Sequence, residues 1–227
     1  MDFEIKLDDM VIKPYFDIVG IVGRKSSGKS FVAKVVYTLT PNVIVYDTNH
    51  EYDFDDAQYF DDLELLAKFC HKKHNFWDGE KPKTKKIIYQ PNEPNTDDLW
   101  EFCDGIMQGL NDEFLVIVEE LGRFNLQRVV DNSYKDMIDR GRHIGIGTLS
   151  TSRRIIDIPP YQRNSLDLLI SFPTNSTIDI KLLNAYYYTN IHDKLSTLYA
   201  SNPEKYQRYF AYTNKDNKVK IHPKLKF

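Results

Sequence analysis

No stretch of this 227-residue sequence comes near the ~20 consecutive apolar residues that a membrane-spanning helix needs. The sequence therefore predicts a protein with no membrane partner. The opening Met1-Asp2-Phe3-Glu4 lacks the charged-then-apolar pattern of a secretion signal. Cysteine is almost missing: only Cys70 and Cys103 occur, at a spacing that fits neither a metal site nor a disulfide framework. They read as reduced thiols, and the expected location is the cytoplasm. An excess of positive charge is missing too. With 30 Lys+Arg against 33 Asp+Glu, the formal net charge is −3, which excludes a protein that coats nucleic acid with its whole surface. Internal repeats and low-complexity tracts are absent. The length predicts one α/β domain over 1–227, with a core large enough to need no staples.

What is present begins with Gly23-Arg24-Lys25-Ser26-Ser27-Gly28-Lys29-Ser30, which matches G-x-x-x-x-G-K-[ST] at every position. Such a loop turns consecutive backbone N–H groups onto an anion. Gly23 and Gly28 suit it because they accept positive φ and allow close approach, and the next helix adds its positive end. Lys29 is expected to reach the β- and γ-phosphates of ATP and the Ser30 hydroxyl to ligate Mg²⁺, with Phe31 ending the nucleotide-binding run. The flanks agree. Phe16 to Val22 is the short apolar run of a buried parallel strand, and Phe31, Val35 and Leu39, with Val32 and Val36 beside them, recur at helical spacing up to Pro41.

A second signal is Phe114-Leu115-Val116-Ile117-Val118-Glu119-Glu120, an apolar strand that ends in paired acids. ATP hydrolysis needs two acids with different tasks. Glu119 is assigned to the neighbourhood of Mg²⁺, directly or through a water, and Glu120 to orienting and polarising the attacking water. Further strands are expected at 42–47, 86–90, 143–152 and 166–172, and helices at 63–71, from Thr96 onward, and at 131–142. The hydroxyls of Thr151 and Ser152, at the end of their strand, stand where a γ-phosphate can be sensed by hydrogen bonding. Residues 1–15 read as an extended lead-in or edge strand, and the acidic stretch 53–62 as a surface loop. Beyond Pro173 the sequence predicts tyrosine-rich helices. Lysines cluster between His71 and Lys86 (Lys72, Lys73, Lys81, Lys83, Lys85, Lys86) and again over 215–226; such runs are grips for phosphates or merely solvated loops.

In this order the motifs resemble the HerA/FtsK superfamily of ring-forming DNA-translocating ATPases, especially the small genome-packaging ATPases of viruses, over roughly residues 15–172. The likeness is carried by Gly23 to Ser30, Asp47-Thr48-Asn49-His50-Glu51-Tyr52, Glu119-Glu120, Gly141 to Ile146 and Leu149-Ser150-Thr151-Ser152-Arg153. It implies an α/β P-loop NTPase fold of the ASCE/RecA-like type, a mainly parallel sheet flanked by helices, with a C-terminal helical extension over about 173–227. It also implies ATP with Mg²⁺, double-stranded DNA, assembly as a ring homo-oligomer (pentamer or hexamer), and a capsid or portal-type partner at a procapsid. Arg142 becomes the expected arginine finger, offered in trans to the neighbouring subunit's nucleotide, with Arg140 and Arg153 as alternatives. Two departures stand out: the first acid is Glu119 where the family has Asp, and Ser152 stands where the family has Gln. A P-loop kinase for a nucleoside, and a morphogenesis ATPase that moves no DNA, are the alternative functions. The sequence holds no Asn-Lys-x-Asp motif that would favour a GTPase.

Overall fold

The computed structural model describes residues 3–71, 77–78, 81–82, 85–109, 112–124, 126, 132–213, 218–223 and 225. Ile5–Leu7 (β1) and Met10–Ile12 (β2) form an antiparallel hairpin of their own, where the sequence predicts only an extended lead-in or edge strand. Asp8 turns the chain there with φ 55, the left-handed conformation that a short Asp side chain tolerates.

The main elements then follow in order: β3 (Ile18–Val22), α1 (Lys29–Leu39), β4 (Asn42–Tyr46), β5 (Gln58–Phe60) and α2 (Leu63–His71). A small antiparallel pair, β6 (Trp77–Asp78) and β7 (Lys81–Pro82), precedes β8 (Lys85–Tyr89), α3 (Thr96–Gly109) and β9 (Phe114–Val118). Next come α4 (Ser133–Arg140), β10 (Ile146–Ser152), α5 (Pro160–Ser165) and β11 (Leu168–Ser171). The chain ends with α6 (Thr177–Tyr187), α7 (Ile191–Ser201), α8 (Pro203–Tyr206), β12 (Phe210–Thr213) and β13 (Val219–His222).

One nine-stranded sheet runs in the order β13-β12-β11-β3-β10-β9-β4-β8-β5. All neighbours from β11 to β5 are parallel, and β12 and β13 add an antiparallel edge. Fully buried Val/Ile/Leu runs such as Phe114–Val118 make this possible, because crossover helices cover both faces of a parallel sheet. On one face Val32, Val36 and Tyr37 of α1 pack with the hairpin residues Ile5, Leu7 and Ile12. On the other, Leu66, Leu99, Phe102 and Met137 of α2, α3 and α4 pack against Tyr46 and Val116. Burial of each large apolar side chain contributes about 1.5–3 kcal/mol. The α/β, mainly parallel architecture expected from the motifs is the one found, with β10 between the P-loop strand β3 and the acid-bearing strand β9.

Four expectations need correction. The C-terminal segment is not only helical: after α8 it returns as β12 and β13 to extend the sheet beside β11. The acidic stretch contributes β5, a parallel edge strand, because Tyr59 and Phe60 can pair with β8. In the 131–152 region, α4 stops at Arg140, a 3₁₀ turn spans Gly141–Ile144, and Gly145 takes φ 79, so β10 begins only at Ile146. On α1 the buried stripe is Val32, Ala33, Val35, Val36 and Tyr37, while Phe31 and Leu39 are 45% and 37% exposed.

Candidate nucleotide site

The C-terminal ends of β3, β9 and β10 lie side by side, since Ser152 is in register with Val22 and Ser150 with Val118. Everything the chain places after these three strands therefore converges on one edge of the sheet. After β3 comes the P-loop, where the Gly23 N–H donates to the Ser152 carbonyl at 3.1 Å and the Ser27 N–H donates to the Arg24 carbonyl at 3.2 Å. Gly28 has φ +112 and opens α1. Gly23 serves by close approach rather than by positive φ: a Cβ there would stand 2.6 Å from Phe172 Cβ and 2.7 Å from Ser27 Oγ. The second left-handed residue of the loop is Ser26, with φ 62.

Lys29 is buried in the loop. Its ammonium donates to the Arg24 carbonyl at 3.2 Å and faces Glu120 Oε1 at 3.8 Å. Burial pushes the Lys29 pKa below its ordinary value, and the neighbouring Glu120 and Glu119 carboxylates pull it part of the way back. Glu120 sits in the left-handed region with φ 52, a strained conformation for Glu, and its other oxygen accepts from Arg153 Nε at 3.1 Å.

Glu119 stands directly behind it, 3% exposed. Tyr52 OH donates to its Oε1 at 2.8 Å, and Thr151 Oγ1 donates to its Oε2. Burial raises the Glu119 pKa to about 7, against the lowering effect of those two hydrogen bonds. Thr151 Oγ1 also accepts from the Glu120 N–H at 2.9 Å, so one hydroxyl sets the positions of both acids. Tyr52 is held in turn by Asp47, whose carboxylate accepts from the N–H groups of Tyr52 at 2.9 Å and Glu51 at 3.1 Å.

A cavity of about 820 Å³ opens over the loop. Of the residues the sequence singles out it is lined by Lys25, Ser26, Gly28, Lys29, Ser30, Phe31 and Glu120, with Asn49 and Glu51 of the Asp47–Tyr52 motif and the alternative finger Arg153. Gly23, Arg24, Ser27, Glu119 and Thr151 form the layer beneath or beside it. Ser152 is not brought in: alternation along β10 sends its hydroxyl toward Asp157, at 3.5 Å. Arg142 is not brought in either. It is exposed on the 3₁₀ turn before β10, roughly 20 Å of strand from Ser152 at ~3.3 Å per residue. Arg140 pairs with Asp136 on its own helix at 2.9 Å.

The sequence gives no site signal for the wall residues Val32, Phe172, Arg208, Phe210 and Leu225. Phe172 ends the apolar β11 pattern, but nothing in the order of residues shows that the C-terminal segment folds back to this edge. Among the described residues no cluster of three or more metal-binding side chains occurs, and no helix is long and apolar enough to cross a membrane.

Taken together, the sheet order, the strand–loop–helix around Lys29 and the acid-ended β9 are those of the P-loop NTPase fold. The same fold is found in the genome packaging NTPase B204 from Sulfolobus turreted icosahedral virus 2, solved in complex with ATP-gammaS. That structure is 21% identical, with TM-score 0.65, over 95% of this chain and 100% of that one. VirB4 of Thermoanaerobacter pseudethanolicus is 11% identical with TM-score 0.61, over 92% of this chain and 89% of that one. The pCW3 conjugation coupling protein TcpA, in its monomer form with ATPgS, is 12% identical with TM-score 0.56, over 94% of this chain and 62% of that one. No family model matches the sequence, and no curated protein matches it.

Proposed function

We propose that this chain is an ATP-hydrolysing motor that moves double-stranded DNA and packages a viral genome, working as a ring of identical subunits. The observation that carries the reading is Glu120 facing Lys29 across the P-loop, with Glu119 and Thr151 fixing it from behind. A likeness along nearly the whole chain to an NTPase that packages a genome supports the choice of cargo.

ATP entering the cavity meets the N–H groups of residues 26–30 and the positive end of α1. Its phosphates attract Lys29 away from Glu120 and the Arg24 carbonyl. Glu120, released on that side, accepts a proton from a water held for in-line attack. The donor set suits Mg²⁺: Ser30 offers a hydroxyl at the cavity wall, and Glu119, whose oxygens both accept protein hydrogen bonds, suits the ion's water shell. Bound there, Mg²⁺ would neutralise charge on the β- and γ-phosphates. Arg142 cannot serve its own nucleotide, so we assign it to that of an adjoining subunit, which makes the ring necessary for fast turnover.

The lysine grip is reduced by the structure. Lys85 is buried against the Phe69 ring, and Lys86 pairs with Asp56 at 2.8 Å, so both hold the fold together. Lys72, Lys73 and Lys83 lie outside the described residues, as do Lys215, Lys224 and Lys226. The test is phosphate release by the assembled protein with and without duplex DNA, at low and at moderate salt. Stimulation that weakens with salt is expected; an oligomer indifferent to DNA, or one that phosphorylates a nucleoside, would overturn the reading.

A further inference from the structure

The C-terminal segment reaches the cavity by topology. β12 runs antiparallel to β11, with Ala211 in register with Ser171, so residues just before β12 arrive at the edge where β3 passes into the P-loop. The turn that delivers them is firmly held: the Gln207 N–H donates to the Pro203 carbonyl at 3.0 Å, and the Tyr209 N–H to the Tyr206 carbonyl at 3.0 Å. Arg208 sits in that turn. Its Cγ lies 3.9 Å from where a Cβ on Gly28 would stand, and its side chain lines the same cavity as Lys29 and Ser30. Arg24 of the P-loop lies 5.0 Å from the ring centroid of Tyr199 on α7, which fixes the same segment from the other side.

The charges around the cavity ask for an anion. Lys25, Lys29, Arg153 and Arg208 line it, against the carboxylates of Glu51 and Glu120. Lys29 and Arg153 both face Glu120, whereas Arg208 has no hydrogen bond or ion pair among the described residues. A guanidinium at the wall of a phosphate cradle offers the planar fork of donors that binds phosphate oxygens in pairs.

We propose that Arg208 is a phosphate ligand of the bound nucleotide, supplied by the C-terminal segment of the same chain. The proposal rests on reading the P-loop cavity as a nucleotide site. It gives the C-terminal segment a function that its distance in sequence from Lys29 conceals.

The test is titration of the full chain with a fluorescent ATP analogue and with ADP, in wild type, Arg208→Ala and Arg208→Lys, together with melting curves taken without nucleotide. Because Arg208 is exposed and unpaired, all three proteins should melt alike. Arg208→Ala should bind the ATP analogue about tenfold more weakly, with Arg208→Lys in between, because a point charge replaces the fork. Wild type that binds no nucleotide would overturn the P-loop reading and this proposal together. Wild type that binds, with Arg208→Ala equal to it, would overturn the Arg208 assignment alone. Arg208→Ala that keeps its ATP affinity but loses duplex-DNA affinity would also overturn it, placing Arg208 on the DNA.

Discussion

Tyr52, Glu119 and Thr151 form one buried hydrogen-bonded cluster beneath the P-loop, and Ser171, Tyr187 and His192 form another beneath the C-terminal helices. In the second, Ser171 Oγ lies 2.8 Å from Tyr187 OH and 2.6 Å from His192 Nε2. Burial moves both clusters the same way, toward uncharged forms: Glu119 is raised to about 7 and His192 lowered to about 4. The difference is connection. Thr151 holds the Glu120 backbone, and Glu120 opens into the cavity; no member of the second cluster lines that cavity. A buried polar group therefore tells little about function until its link to a cavity is known, and the second cluster reads as a tie between α6, α7 and the sheet.

Substitutions test whether the two clusters differ in this way. The largest effect is expected where neither cluster reaches. Arg142→Ala should lower phosphate release by the assembled protein about 10³–10⁵-fold while leaving ATP affinity unchanged. Mixing it with Glu120→Gln subunits should restore part of the rate, because some interfaces then pair an intact Arg142 with an intact Glu120; no recovery would remove the trans assignment. Glu120→Gln alone should slow turnover about 10²–10⁴-fold and leave ATP bound. Normal turnover by that variant would mean that the cavity-linked cluster positions the wrong acid.

Smaller effects separate the two clusters directly. Thr151→Val leaves Glu119 Oε2 and the Glu120 N–H without their partner, and should cost about 1–3 kcal/mol in denaturant unfolding together with most of the ATPase rate. Ser171→Ala should cost a similar 1–3 kcal/mol with the rate per folded molecule unchanged. Equal losses of rate in both would erase the distinction. The most gradual effect is in pH. The His192 pKa is about 4 in the folded chain against an ordinary 6.5, so the unfolded chain binds the extra proton between those values. The stability from neutral His192 is complete above about pH 6.5 and declines by at most about 3 kcal/mol as pH falls toward 4. His192→Gln should flatten that part of the stability profile.

The P-loop part of the candidate site was legible because it is local. A loop between a buried strand and a helix depends on neighbours in sequence, and Gly28, Lys29 and Ser30 lie where that pattern puts them. Glu119 and Glu120 were legible for the same reason, as the end of an apolar run. Thr151 was legible only as a strand-end hydroxyl; that it binds both acids depends on β10 lying between β3 and β9. Ser152 faces Asp157, because strand alternation sends neighbouring side chains to opposite faces, and sequence alone does not say which face looks at the cavity.

By itself, then, the sequence determined the periodic elements, the P-loop and the paired acids, since each is fixed by residues a few positions apart. It took the tertiary structure to place Phe210–Thr213 and Val219–His222 as β12 and β13, to make Arg208 and Phe210 walls of the P-loop cavity, and to put Arg142 at the far end of β10. Those outcomes depend on strand order and register, which are set by packing between segments up to about two hundred residues apart, and no local spacing records them.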